Sequence, residues 1–96
     1  MNSIKKATKL VSLALESLNR EMSTSPDPKL AGVPKVQKEA FKLKLQKMHD
    51  ILVSGSLPEK NMRSLGLGRA IADSWPFDSK LGEEIVKAER AYIEIS

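Results

Sequence analysis

Apolar residues recur at intervals of three and four along most of the chain, which is the spacing of an amphipathic α-helix. The first stripe runs from Ile4 to Met22 and is followed by a proline-rich connector. A second stripe begins near Pro34, which suits a first helical turn, and stops at Gly55. The pattern therefore predicts two long helices, over 3–22 and 34–54.

The apolar residues of the second helix fall into two separate strips on a helical wheel. The strips consist of Val36, Ala40, Leu43 and Ile51, and of Phe41, Leu45, Met48 and Leu52. Because each strip can pack against one neighbour, we expect this helix to lie at the centre of the fold.

Shorter helices are predicted in the second half of the chain. Ser56 and Glu59 have the spacing of a capping box, which would start a third helix. Past Gly66 the apolar side of this helix shifts by roughly half a turn, so we expect a kink or break at Gly66 and Gly68. Asp78 is well placed to cap the last helix. The predicted bounds are 57–65, 67–74 and 79–95.

No segment alternates as a strand would, so we expect a single all-α domain over residues 1–96, a bundle of four or five helices. The chain has no cysteine, which excludes disulfides and thiol chemistry and fits a cytoplasmic protein. No apolar run approaches the ~20 residues that a membrane span needs, so no membrane partner is expected.

The net charge of +4 is uneven, with basic residues dominating the first half and acidic residues the last helix. This balance favours a partner with an acidic surface. A basic strip on the second helix consists of Lys35, Lys38, Lys42 and His49. It is short and contains no arginine or aromatic residue, so we interpret it as a solvated face and expect no nucleic-acid partner.

The chain offers no set of residues with catalytic spacing. His49 is the only histidine, and the carboxylates of Glu83 and Glu84 are adjacent and diverge on a helix. Gly66 and Gly68 resemble the start of a dinucleotide-binding motif, but Ile71 stands where its third small residue would be, and no strand is predicted before it. We therefore expect no catalytic residue, metal ligand or cofactor, and no enzyme activity.

Two aromatic residues flank Pro76 in a stiff connector, where they can either pack in the core or contact a partner. Arg69 and Asp73 lie four residues apart and so share one face of the segment that leads into this connector. An aromatic centre surrounded by charged groups is typical of an interface. The predicted partner-binding residues are Arg69, Asp73, Trp75, Phe77 and Asp78.

Further apolar residues lie outside the core stripes. Val86 and Ile93 stand seven residues apart on the side of the last helix away from its stripe, and Leu13 lies on the polar side of the first helix. They can serve either further packing within the chain or contact with a partner.

A family resemblance adds to this interpretation. The residues that carry it are the run Leu65-Gly66-Leu67-Gly68 with Ile71 and Ala72, then Phe77-Asp78, Leu81 and Ala91-Tyr92, after a Lys/Gln-rich second helix and the break from Ile51-Leu52 to Ser56-Leu57. Over roughly residues 35–95 the chain resembles the small helical immunity proteins of bacterial type VI secretion, in particular those that neutralise NAD(P)+-glycohydrolase toxins.

This resemblance implies a cytosolic antitoxin that binds the catalytic domain of a cognate toxin and blocks its active site, without enzymatic activity. The implied partner is an NAD(P)+-degrading or other nucleotide-targeting toxin. Such inhibitors are often acidic, whereas this chain carries +4, so the charge and the reaction of the toxin stay open. The alternatives are a helical adaptor or structural module and, third, a small nucleic-acid-binding regulator.

Overall fold

The computed structural model describes residues 3–23, 26–76 and 78–95, and every regular element in these ranges is helical. The expected all-α class is therefore confirmed. The four α-helices are α1 (Ser3–Ser23), α2 (Lys35–Ser54), α3 (Leu67–Ser74) and α4 (Lys80–Ile93), and short 3-10 helices occur at Pro28–Leu30 and Lys60–Met62. The bounds of these α-helices lie within two residues of those predicted for four of the five helices.

Helix α1 occupies the centre of the fold and packs against both α2 and α4. Its inward face carries Ala7, Val11, Ala14 and Leu18, all without exposed surface. The two alanines on this face leave room for neighbouring side chains. The central helix of the fold is therefore α1, the first helix in the chain.

The prediction that α2 is the central helix is wrong. Its strip from Phe41 to Leu52 is buried against the core. Most of the other strip is exposed, with Val36 77% and Leu43 67% exposed, and only Ile51 of that strip packs partly against the core. A second apolar strip is buried only if a second helix packs against it. Because α1 is the only helix with extensive contacts to α2, this second neighbour is lacking.

The first connector is fixed by the buried carboxylate of Glu21. Its Oε1 accepts a hydrogen bond from the backbone N–H of Asp27 (2.8 Å), and its Oε2 accepts one from Nζ of Lys38 (2.9 Å). The Lys38 side chain is only 13% exposed. The basic strip proposed for α2 is therefore interrupted, because Lys38 is used to join α2 to α1.

The predicted helix over 57–65 is not present. Residues 55–66 contain a single 3-10 turn, and Gly55 and Gly66 at the two ends have φ values of 79° and 78°. Ser56 does not form a capping box, and Glu59 makes no side-chain cap hydrogen bond. Because L-amino acids with side chains avoid this left-handed conformation, each glycine marks a helix boundary. The third helix therefore starts after Gly66 and is not kinked there.

The last helix is capped by Ser79 rather than by Asp78. The hydroxyl of Ser79 accepts a hydrogen bond from the N–H of Gly82 (3.0 Å). Asp78 lies one residue too early and instead contacts Nζ of Lys29 at 3.0 Å. Their hydrogen bond and mutual charge lower the pKa of Asp78 and raise the pKa of Lys29. This exposed pair joins the first connector to the start of α4.

Candidate partner-binding groove between α3 and α4

An open groove of about 640 Å³ runs between α3 and α4, and we call it the α3/α4 groove. Apolar side chains make up much of its lining, with Ile71 and Trp75 from one side and the half-buried Val86 and Ile93 from the other. Its lining residues are Gly68, Ile71, Ala72, Trp75, Pro76, Ser79, Gly82, Glu83, Val86, Lys87, Glu89, Arg90, Ile93 and Glu94.

Two glycines allow α3 and α4 to approach closely along this groove. A Cβ atom at Gly82 would lie 3.2 Å from Cγ2 of Ile71, and a Cβ atom at Gly68 would lie 3.3 Å from Oε1 of Glu89. Both distances are shorter than ordinary van der Waals contact. The absence of side chains at these two positions therefore sets how closely the two helices approach.

The buried carboxylate of Glu89, on α4, caps the N-terminus of α3. It accepts hydrogen bonds from three backbone N–H groups, those of Leu65 (3.0 Å), Leu67 (3.2 Å) and Gly68 (2.8 Å). The N-cap residue of α3 is Gly66, which has no side chain to serve this purpose. A negative charge at this position also complements the positive end of the α3 dipole.

The buried guanidinium of Arg63 holds the C-terminal end of α4, about one helical turn beyond Glu89. It donates to the carbonyl oxygens of Pro58 (2.9 Å), Ile93 (3.2 Å) and Ile95 (2.6 Å). The last carbonyls of a helix lack partners within the helix, and a cation there is favourable. Arg63 and Glu89 together tie the irregular segment 55–66 to α4, so that the groove walls are fixed before any partner binds.

The structure places the Trp75 ring in the core, which is the first of the two alternatives considered for it. Only 5% of Trp75 is exposed, and its ring is stacked on Phe41 with centroids 5.5 Å apart. Its Nε1–H donates to Oε1 of Gln37 at 2.9 Å. Trp75 therefore joins α2 to the end of α3, and it also contributes to the lining of the groove.

The other predicted binding residues are divided among three places. Arg69 and Asp73 are exposed on α3 and are not among the residues that line the groove. Asp78 lies outside the groove and is paired with Lys29. Phe77 lies outside the residues that the structure describes. The prediction of a partner surface at these residues stays a prediction.

Sequence reasoning gave no role in the fold to Glu89 or Arg63. Each looks like an ordinary charged residue of a helix or loop, and their hydrogen-bond partners lie up to 32 residues away along the chain. The available signal for the groove was the pair Val86 and Ile93, which lie off the core stripe and could serve either further packing or contact with a partner. Both side chains do line the groove.

A second exposed apolar region lies on the outer face of α2. It consists of Val36, Ala40 and Leu43, and it is followed along the same face by Lys47 and Asp50. These charges limit the apolar part to about two helical turns. The region is thus small and convex, in contrast to the concave α3/α4 groove.

In the three described ranges, no group of three or more His, Cys, Asp or Glu side chains is placed to hold a metal ion. None of the helices there is long and apolar enough to cross a membrane. The sequence matches none of the protein-family models with which it was compared. It also has no match among curated proteins, so the resemblance to immunity proteins depends on the residues quoted above.

Proposed function

We propose that this chain is a non-enzymatic immunity protein, which binds the catalytic domain of a secreted bacterial toxin and blocks its active site. The observation that carries the proposal is the α3/α4 groove, an open and mainly apolar surface with charged residues along its edges. An apolar centre surrounded by polar groups is the usual composition of a protein interface. The resemblance to immunity proteins supports a toxin domain as the partner.

The rigidity of the groove supports this proposal. Its walls are fixed by the carboxylate of Glu89 and the guanidinium of Arg63, both less than 10% exposed. A surface that needs no reordering on binding loses less entropy, which favours the high affinity that an inhibitor requires. Apolar side chains such as Val86 that are half-exposed in the isolated chain would then lose their remaining contact with water.

A helical adaptor would use the same groove, and it is the second candidate. The two candidates differ in what binding achieves, because an adaptor would leave the activity of its partner unchanged. The third candidate, a nucleic-acid-binding regulator, is less well supported, since Lys38 is drawn into a buried pair with Glu21 and is lost from the basic strip.

The test is a titration of the purified chain against the catalytic domain of any toxin-like protein encoded beside its gene. We expect stoichiometric loss of toxin activity in the tube and restored growth when the two are co-expressed. A complex of ordinary size would bury about 1,600 Å² in total. If the toxin domain stays fully active in the presence of excess folded chain, the proposal is wrong, and a complex without inhibition would favour the adaptor.

A further inference from the structure

The outer face of α2 carries a short apolar strip that the rest of the described chain leaves exposed. It consists of Val36, Ala40 and Leu43, and we call it the α2 strip. Val36 is 77% exposed, Leu43 is 67% exposed, and Ala40 between them is exposed as well. Because the three residues are spaced by four and three positions, they form one line along the helix. None of them lines the α3/α4 groove, so the proposed function does not account for this strip.

Two opposite charges lie beside the α2 strip. Glu39 is exposed and Lys42 is half-exposed. On a helical wheel of about 100° per residue, both fall on the same side of the strip. Neither side chain takes part in the salt bridges found within the described ranges. Both charges are therefore available to a partner that docks on the strip.

A second copy of the chain offers the complementary pattern. When two α2 helices lie antiparallel about a two-fold axis at Ala40, residues at similar distances before and after this position face each other. Val36 of each copy then lies opposite Leu43 of the other. The two-fold axis also brings the same side of both helices together, so Glu39 of each copy meets Lys42 of the other. The small side chain of Ala40 at the axis allows the helices to approach closely.

We propose that the outer face of α2 binds a second copy of this chain in an antiparallel, two-fold dimer. The α2 strip would form its centre, and two ion pairs between Glu39 and Lys42 would lie at its edge. The contact covers about two helical turns of each copy, fewer than the roughly 20–30 residues per side of a standard interface. We therefore expect a weak dimer, with a dissociation constant of roughly 100 µM. Both α3/α4 grooves would stay open.

Sedimentation equilibrium measures this association between about 10 µM and 1 mM, a range that brackets the expected constant. The salt concentration should be ~150 mM, because each copy carries a net charge of +4 and screening limits their repulsion. We expect the mean mass to rise from that of a monomer towards that of a dimer. Leu43→Asp, which would bury a charge at the centre of the contact, should weaken association at least ~10-fold. Val86→Asp, in the α3/α4 groove, should leave association unchanged.

Charge reversal tests the two-fold arrangement itself. Glu39→Lys would place two lysines at each ion pair, and Lys42→Glu would place two glutamates there, so each variant alone should associate about threefold to tenfold more weakly. An equimolar mixture of the two variants restores both ion pairs in a heterodimer and should associate about as tightly as the unchanged chain. The matched controls, Glu16→Lys and Lys9→Glu, make the same charge changes at exposed positions of α1. Each control should change association less than about twofold.

The inference is overturned if the folded chain stays monomeric at about 1 mM, a concentration ~10-fold above the expected constant. It is also overturned if folded Leu43→Asp associates as tightly as the unchanged chain, or if mixing the two charge variants gives no gain over either alone. Loss of association in Val86→Asp but not in Leu43→Asp would place the self-contact in the groove instead. Circular dichroism shows whether each variant is folded.

These outcomes do not depend on the toxin assay. A monomeric chain that inhibits the toxin would contradict this inference alone, whereas a dimer without inhibition would contradict the proposed function alone. Loss of toxin binding in Leu43→Asp, with a monomeric unchanged chain, would assign the α2 strip to the toxin rather than to a second copy.

Discussion

Replacement of Glu89 by alanine tests whether the N-terminus of α3 is held by a side chain of α4. The carboxylate accepts three backbone N–H groups at 2.8–3.2 Å. A hydrogen bond to a charged group contributes ~1.5–3 kcal/mol, and a buried donor left unsatisfied costs a similar amount. The bond to Leu67 is buried, but those to Leu65 and Gly68 are only partly buried, so water can replace part of the loss. We expect Glu89→Ala to lower the free energy of unfolding by about 2–4 kcal/mol.

For a domain of this size the loss corresponds to a fall in melting temperature of roughly 10–20 °C. Glu94→Ala is the matched control, since Glu94 is exposed beyond the end of α4, and it should change stability by less than ~0.5 kcal/mol. Glu89→Gln keeps one acceptor oxygen but loses the charge, so its free energy of unfolding should lie between those of the two alanine variants. Thermal and urea unfolding measure all three variants. A melting temperature of Glu89→Ala equal to that of Glu94→Ala would refute the capping role.

Three further predictions follow from buried or strained positions. Trp75→Ala removes the stacking on Phe41 and should cost ~3–5 kcal/mol in urea unfolding; an unchanged stability with weakened partner binding would instead place the indole in the interface. Gly66→Ala, at φ 78°, should cost ~1–2 kcal/mol, whereas Gly32→Ala, where φ is not positive and the space is open, should not destabilise. Tyr92 is the only tyrosine, and burial raises its pKa despite the opposing charge of Arg63. The folded state therefore keeps this proton longer than the unfolded state, so stability should fall as the pH rises above ~10. Phenolate absorbance should show ionisation at higher pH for the folded chain than for the urea-unfolded chain, and coincident curves would contradict this.

The sequence predicts α1, α2 and α4 well because each carries a continuous apolar stripe with the helical period. The prediction fails over 57–65 because a capping box depends only on residues close together in the sequence. This segment is instead held by residues distant in the sequence: Arg63 donates to the carbonyl oxygen of Ile93, and the N–H of Leu65 donates to Glu89. Gly66 marks the start of α3, and no kink or break within a helix occurs there, because no α-helix precedes it over 57–65.

The candidate site shows the same division between local and tertiary information. Val86 and Ile93 were recognisable as apolar residues off the core stripe, and they do line the groove. Trp75 could not be assigned from the sequence, because an aromatic residue beside proline packs inward or outward according to what lies opposite. Here Phe41 lies opposite and covers its ring.

The central claim is that the α3/α4 groove binds the toxin. Its most direct test is the affinity of the toxin domain for Val86→Asp, compared with Leu43→Asp, which places the same charge on the outer face of α2 where Leu43 is 67% exposed. We expect Val86→Asp to weaken binding by ~2 kcal/mol or more, about 30-fold, while Leu43→Asp binds as the unchanged chain does. Both variants must first be shown to be folded by circular dichroism. Equal affinities of folded Val86→Asp and the unchanged chain for the toxin domain, measured by calorimetry, would contradict the claim.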